Sequence, residues 1–414
     1  MGKPAAKMNS GPGFPELKQN YPVFRFMGGN FISFFGNQMY LIAIPLIVLA
    51  ITGSPISMGI VSALERLPIL LQPFMGILPD RLNRKKILLI CDLGRCFIVG
   101  GVGVLFLFNQ LELWQLYSAS LIIGLFSQIY DTSQFASVPN LVRQRDLQTV
   151  NSLNTGLHHT AVLVGPGLGG LIISFYNPGY ALLMNGLSFF ISFLAILSLD
   201  MKVAAPKSQK ISTFFEDVKE GFQFVVNTRP IFFTNLAMLA SIFGTTLFLT
   251  MMIFHLKDTI QLSANQIGWL LSVGGLGAIG GAIVTGPLRK RFSYRRILFV
   301  ASIVGGLSIV LFGLVHTYAW LILFNAVGTI AASMMNPCIV TLRQALTPDH
   351  LLGRVQATSR FMTWTLMPLA AFLAGILSEQ IGTGETIVLG GTISTLASFI
   401  YLHSSLRRKN EETR

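Results

Sequence analysis

Charged residues are scarce. Asp, Glu, Lys and Arg make up 11% of the 414 residues, less than half the share of about 25% in a soluble globular chain. So little polar side chain leaves a water-soluble body of this size uncovered, which excludes a soluble enzyme. An apolar content of 52% also excludes a disordered chain. Cysteine is nearly absent. Cys91, Cys96 and Cys338 all lie in apolar runs, with neither metal-ligand spacing nor a disulfide framework, and they read as small buried apolar residues. No Gly-rich loop carries the Lys and Ser/Thr of a phosphate cradle, and no His, Cys or carboxylate pair has metal spacing. The sequence therefore gives no ground for a nucleotide, metal or other cofactor, and no catalytic cluster that would make the chain an enzyme. Acidic residues are the rarer sign, 17 against 30 basic ones, for a formal charge of +13. In a soluble protein that excess would suggest nucleic acid; here its placement excludes that partner.

What the chain has is long apolar stretches, with a mean hydropathy of +0.63. They run over roughly 24–50, 56–79, 87–108, 113–138, 155–176 and 180–200. They resume at roughly 231–255, 266–288, 296–316, 319–342, 357–378 and 386–405. Each is long enough to cross about 30 Å of hydrocarbon. None alternates with period 2, so helices rather than a barrel satisfy the backbone in lipid. The expectation is an all-α polytopic membrane protein of twelve helices in two six-helix halves. The divisions are a tail over 1–20, a first half over 21–200, a linker over 201–230, a second half over 231–405 and a tail over 406–414. No apolar stretch with a small-residue cleavage site follows the polar first residues, so the first run reads as a retained helix.

With the N-terminus in the cytoplasm, the tails and even-numbered connections hold 26 of the 30 Lys and Arg. The outer connections hold Lys257, while Arg66, Arg95 and Arg360 fall within helices. This is the positive-inside pattern, and it places both termini in the cytoplasm. The basic charge then faces anionic lipid of the bilayer. Within the linker, Phe214, Phe215, Val218, Phe222 and Val225 recur at helical spacing. They predict an amphipathic helix over 211–226, lying at the membrane surface or packed on the inner face of the bundle.

The halves repeat. Gly76, Leu78, Arg81, Ile87 and Leu88 correspond to Gly286, Leu288, Arg291, Ile297 and Leu298, and Lys85-Lys86 to Arg295-Arg296. Phe35-Gly36 aligns with Phe243-Gly244, and Asp131-Thr132 with Asn336-Pro337. Duplicated halves are a transporter design, with the substrate site between them near the midplane.

The stretch Gly76-Ile77-Leu78-Pro79-Asp80-Arg81-Leu82-Asn83-Arg84-Lys85 resembles the signature between helices two and three of the major facilitator superfamily. That signature usually has Gly where Asn83 stands; Asn also tolerates a left-handed turn. Gly76, Asp80, Arg81, Arg84 and Lys85 then read as a charged latch at the inner gate. Gly156, Gly165-Pro166 and Gly169-Gly170 match the superfamily's antiporter motif in helix five at every fixed position. Glycines there let backbones approach closely. In the family the motif accompanies proton-coupled exporters. Val138-Pro139-Asn140-Leu141-Val142, Arg145-Asp146-Leu147 and Asn151-Ser152-Leu153-Asn154, with Phe215 to Pro230, resemble the macrolide-efflux and enterobactin-exporter-like branch. The resemblance implies a bacterial plasma-membrane transporter. Two departures stand out. Helix eleven keeps Pro368 without the glycine pattern, and Leu121 to Tyr130 lacks the Arg often found in helix four of drug exporters.

Ionisable residues deep in lipid are functional candidates by default. Glu65 and Arg66, near the middle of helix two, are candidates for proton coupling, a structural ion pair with a neighbouring helix being the other reading. Asp131 reads as a gate residue, a proton site or a hydrogen-bonded structural residue. Asp92 and Arg95, at i,i+3, read as a local salt bridge. His158 and His159 read as near-interfacial, as do His255 and His316. On helix one, Asn30, Ser33, Asn37 and Tyr40, with Gln38 beside them, form a polar stripe. The resemblance places helix one at the central cavity, so the stripe either meets substrate or joins neighbouring helices. Asn235, Thr245, Thr246 and Thr250 in helix seven are weaker cavity candidates.

The leading expectation is a proton-driven exporter of an amphiphilic small molecule, with small-molecule substrate, protons and lipid bilayer as partners. The alternatives are a lysolipid transporter without proton coupling, and a transporter-like sensor or scaffold without turnover.

Overall fold

The computed structural model describes residues 21–75, 82–199 and 211–406. Gly76, Asp80 and Arg81 of the expected gate signature lie outside the described residues. The described chain is a bundle of helices in the order α1 (Tyr21–Thr52), α2 (Pro55–Arg66), α3 (Gln72–Met75), α4 (Arg84–Leu107), α5 (Leu113–Ser137), α6 (Leu147–Phe175), α7 (Pro178–Leu197) and α8 (Ile211–Asn227). The order continues with α9 (Arg229–Phe254), α10 (Ala264–Arg291), α11 (Tyr294–Leu314), α12 (Tyr318–Leu346), α13 (Leu352–Trp364), α14 (Met367–Ile381) and α15 (Thr383–Ser398). Ten of the described helices are long and apolar enough to cross a membrane, α13 and α14 together forming one of them. Two further segments stand where the second and fourth traverses are expected: the α2–α3 stretch and α5. Bulky apolar side chains such as Phe97, Phe108 and Phe175 point outward, as lipid-facing residues must.

Local chemistry sets the helix ends. Ser54 caps α2 ahead of Pro55, and Asn177 caps α7 ahead of Pro178. Proline fits the first turn because its missing N–H has no partner there. Ser263 and Gln266 form a reciprocal capping box on α10, as Glu112 and Gln115 do on α5. The expected second helix is not continuous. After Arg66 the chain tightens into a 3₁₀ turn, Leu67–Leu71, which contains Pro68. Pro68 has no N–H for the Leu64 carbonyl, and the Leu67 N–H takes that carbonyl instead. Asn83 also departs from expectation. Its φ is −66°, so it adopts no left-handed turn; its side chain caps α4 by accepting from the Lys86 N–H.

The repeat is visible in these details. Ser293 caps α11 as Asn83 caps α4. Lys85 Nζ donates to the carbonyls of Leu197 (2.9 Å) and Leu199 (2.6 Å) at the end of α7. Its counterpart Arg295 donates from Nε to the Tyr401 carbonyl at 3.2 Å and also reaches the Leu402 carbonyl. Gly53 and Gln261, which correspond in the repeat, both take positive φ, 59° and 62°, in the turn after the first helix of each set.

Within the first set α1 packs on α7 and α6, α4 on α7 and α5, and α2 on α5. Within the second, α9 and α11 pack on α15, and α12 on α10 and α11. The sets meet along α6–α10 and α2–α14. The linker helix α8 packs on α13 with Gly221 and Val225 facing in, and Glu220 pairs with Arg354. Of the expected apolar stripe, Val225 is buried, but Val218 and Phe222 stay exposed. Gly221 and Val225 let α8 approach α13 closely, and Val218 and Phe222 leave an apolar surface uncovered, as a helix lying at the membrane surface would.

Candidate functional site

Because successive traverses alternate in direction, α2–α3 and α13–α14 each counting as one and α8 linking the sets, one end of the bundle collects Arg84, Lys85, Lys86, Arg143, Arg145, Arg289, Lys290, Arg291, Arg295 and Arg296. We call it the basic end. The connections at 53–54, 108–112, 176–177, 260–263, 315–317 and 382 lie at the opposite end.

The glycine motif of α6 sits where the two sets of helices touch, on the side toward the opposite end. A Cβ on Gly170 would lie 2.5 Å from the Ala264 carbonyl oxygen, and one on Gly268 would lie 2.4 Å from the Pro166 oxygen. Only hydrogen fits between these backbones. Pro166 cannot donate to the Val162 carbonyl, and Gly275 approaches that carbonyl from α10. The next amide, Gly167 N–H, donates to Ser272 Oγ at 2.9 Å. Gly165 and Gly169 face the other way and seat Gln38 and Met39 of α1. Gly156 meets open space, so close packing does not account for it. Gly59 and Gly375 repeat the arrangement between α2 and α14. Toward the basic end α6 and α10 lose this close contact, with Gly156, Gly280 and Gly286 meeting open space, while the Leu67–Leu71 turn and α3 still touch α13 across the sets. Leu147, Gln148, Asn151, Ser152 and Thr155 of α6 line an open groove of about 660 Å³. Asn336 and Pro337 of α12 are exposed.

Glu65 and Arg66 close α2 and are half-buried. Gly124 of α5 lies against the Glu65 backbone; a Cβ there would be 2.1 Å from its carbonyl oxygen. Arg66 turns its guanidinium to the Ser62 carbonyl at 3.1 Å. Glu65 forms no ion pair within 4.0 Å among the described residues. Tyr40 of α1 completes the group. Glu65 and Arg66 both act on it electrostatically, and its hydroxyl is buried without a hydrogen-bond partner among the described residues.

The polar stripe of α1 divides. Asn30 Oδ1 accepts from the Tyr130 hydroxyl of α5 at 2.6 Å, and Ser33 Oγ donates to the Ser188 carbonyl of α7 at 3.2 Å. Both are buried and join helices of their own set. Asn37 is exposed, Gln38 half-buried, and Tyr40 belongs with Glu65. The stripe spans about 15 Å of helix, so residues of one face meet different neighbours. In α9, Thr246 is buried and donates to the Ile242 carbonyl at 2.7 Å, while Thr245 is half-buried.

Asp92 and Arg95 form the expected local ion pair, with both side chains buried. Sequence spacing did not reveal its enclosure. The guanidinium lies between the rings of Tyr130 and Phe189, 4.0 and 4.3 Å from their centroids. Asp131 lies one residue beyond Tyr130, in the electrostatic field of Arg95 from its own set and Arg360 of α13 from the other. His255 lies in a π turn at the end of its span, beside the 260–263 connection, and is buried with Nδ1 2.8 Å from Thr383 Oγ1. Arg84 opens α4, and His158 packs edge-on against Phe34. No group of three or more His, Cys, Asp or Glu among the described residues could hold a metal ion.

Two duplicated helical sets, touching through backbone along α6–α10 and α2–α14, have the architecture of a major facilitator transporter. Residues 16–414 match the transmembrane secretion effector family, and the chain belongs to it. The chain is 24% identical to the multidrug efflux pump Tap of Mycolicibacterium fortuitum, over 85% of this chain and 88% of that one. It is 24% identical to the enterobactin exporter EntS of Escherichia coli O1:K1, over 92% and 88% of the two chains. Its fold is similar to that of a bacterial homologue of the iron transporter ferroportin in an inward-facing state. That match has a TM-score of 0.73 and 17% identity, and covers 92% of this chain and 98% of the other. The chain is thus a transporter and not an enzyme.

Proposed function

We propose that the protein exports an amphiphilic small molecule, of the drug, macrolide or siderophore kind, from the cytoplasm in exchange for protons. The observation that carries this reading is the placement of the antiporter motif. Pro166 and Gly170 seal the two sets of helices together, so the motif lies at a contact that must break for the opposite end to open. The basic end faces the cytoplasm by the positive-inside rule, with both termini there. The bundle then stands open inward, and a molecule enters along the groove of α6. The names of Tap and EntS support drug and siderophore classes.

Proton coupling is assigned first to Glu65. A half-buried carboxyl with no ion-pair partner among the described residues can take up and release a proton as its access alternates. Arg66 supplies the nearby cation and Tyr40 a hydroxyl for the exchange. Asp131 serves the gate, answered across the halves by Arg360. Asn37, Gln38 and Thr245 remain as substrate contacts; Asn30, Ser33 and Thr246 hold helices.

The test is proton flux in inverted membrane vesicles under an inside-acid gradient, followed with a pH-sensitive dye. Macrolides, cationic dyes, catechol siderophores and lysolipids are added in turn. Gradient collapse with one class, absent from vector-only vesicles, is the expected result. Glu65→Gln should abolish the collapse while leaving the protein in the membrane; substrate-driven proton movement in that variant would exclude Glu65 as the essential carrier.

A further inference from the structure

A cation withdrawn from water needs negative charge nearby. Arg95 has Asp92 and two ring faces. Arg66 lies beside Glu65. Arg360 has Asp131 within electrostatic reach and the Trp364 ring 4.2 Å away. Arg343, in the last turn of α12 at the basic end, has no such company although it is 7% exposed. Its acceptors are neutral amide oxygens, Gln356 Oε1 at 2.8 Å and Asn235 Oδ1 at 3.0 Å. Asn235 is itself held by its Nδ2 donating to Ser359 Oγ at 2.9 Å, which fixes its oxygen toward the arginine. Among the described residues no ionised group acts on Arg343. The negative end of α12 offsets part of the charge, but the positive end of α13 lies next to it in the chain and opposes that effect.

The surrounding groups therefore orient the guanidinium without neutralising it. Two of its five donors are engaged. Its Nε makes no hydrogen bond among the described residues and is not sealed from solvent. The Gln356 oxygen faces Arg343, which leaves the amide nitrogen of that exposed side chain as a further donor. We propose that Arg343 anchors an oxyanion site at the basic end, taking a phosphate or carboxylate group, with Asn235 and Gln356 holding the fork in place. This site stands independently of which molecule is exported. A lipid headgroup, free phosphate and a carboxylate-bearing small molecule share the chemistry it recognises.

The experiment titrates the purified full-length protein, in neutral detergent at constant ionic strength, with inorganic phosphate, monoacyl phosphatidic acid and benzoate, reading the thermal unfolding midpoint. At least one probe should raise the midpoint of the natural protein, and Arg343→Gln should lose that rise. A rise with both phosphate probes identifies a bare phosphate group, a rise with the acyl form alone a lipid headgroup, and a rise with benzoate a carboxylate. If no probe raises the midpoint, or if Arg343→Gln responds as the natural protein does, the site is overturned. Should Arg343→Gln fail to fold, Arg343→Lys decides. It keeps the charge but not the fork, so binding should weaken about tenfold, the loss of one charge-assisted hydrogen bond. Unchanged affinity in Arg343→Lys would equally overturn the proposal.

Discussion

The buried pair Asp92–Arg95 shows how single residues carry weight in this bundle. Removing the carboxylate alone leaves a guanidinium between two rings without its ion-pair partner, Asp131 acting on it only at longer range. Asp92→Asn is expected to cost about 3–5 kcal/mol, and the double variant with Arg95→Met should regain most of that, measured by thermal unfolding in detergent. A double variant no more stable than Asp92→Asn would show that the pair's geometry, not its charge, matters. At this scale the sequence was partly readable. The i,i+3 spacing exposed the ion pair, because both partners lie on one helix. Tyr130 and Phe189 stayed hidden, because they reach Arg95 from other helices and nothing local marks them. The polar stripe on α1 was visible as a stripe, but its division between Asn30 and Ser33 on one side and Asn37 on the other depends on α5 and α7.

Among the elements, the contact between α6 and α10 is the most exacting. Gly268→Ala places a methyl group 2.4 Å from the Pro166 oxygen, and overpacking of this kind costs about 1–3 kcal/mol. That cost falls on the state described here and not on the separated one. The variant should therefore shift toward the state open at the opposite end by roughly tenfold, read by maleimide labelling of a single cysteine placed on α10 near Ala264. Equal labelling in the variant and its parent would show that the contact does not govern opening. Gln261 carries a different local strain, a side chain at a φ of 62°. Gln261→Gly should raise the unfolding midpoint by relieving about 0.5–1 kcal/mol; a lowered midpoint would mean that the side chain matters more than the backbone. Helix existence was legible from apolar runs and caps. The break in the second helix was written in Pro68, yet a long apolar run conceals a proline when hydropathy alone is followed. The edge of α8 that meets α13 was not legible, because Gly221, having no side chain, is invisible to an apolar pattern.

For the whole molecule, the repeat was the most legible feature. Lys85 and Arg295 were paired from sequence, and each ties its helix to the last helix of its own set. The Asp131–Arg360 relation was not legible, because no local pattern joins residues of different halves. The proposed orientation, with the basic end in the cytoplasm, has a direct test. Asn151→Cys, in the groove of α6, should react with a membrane-impermeant maleimide in inverted vesicles and not in intact cells; the reverse would turn the molecule over in the membrane.

The close approach of Gly170 to Gly268 has one more consequence. Backbone pressed on backbone has no rotamers to adjust and no charge to titrate. Dispersion attraction fades by a quarter to a half within a gap of about 0.5–1 Å. Such a seal has no half-open setting: it holds fully or it is gone. Salt and pH cannot loosen it directly, so whatever drives the cycle must act on titratable groups elsewhere in the bundle, and the glycine seal can only follow, like the far side of a seesaw.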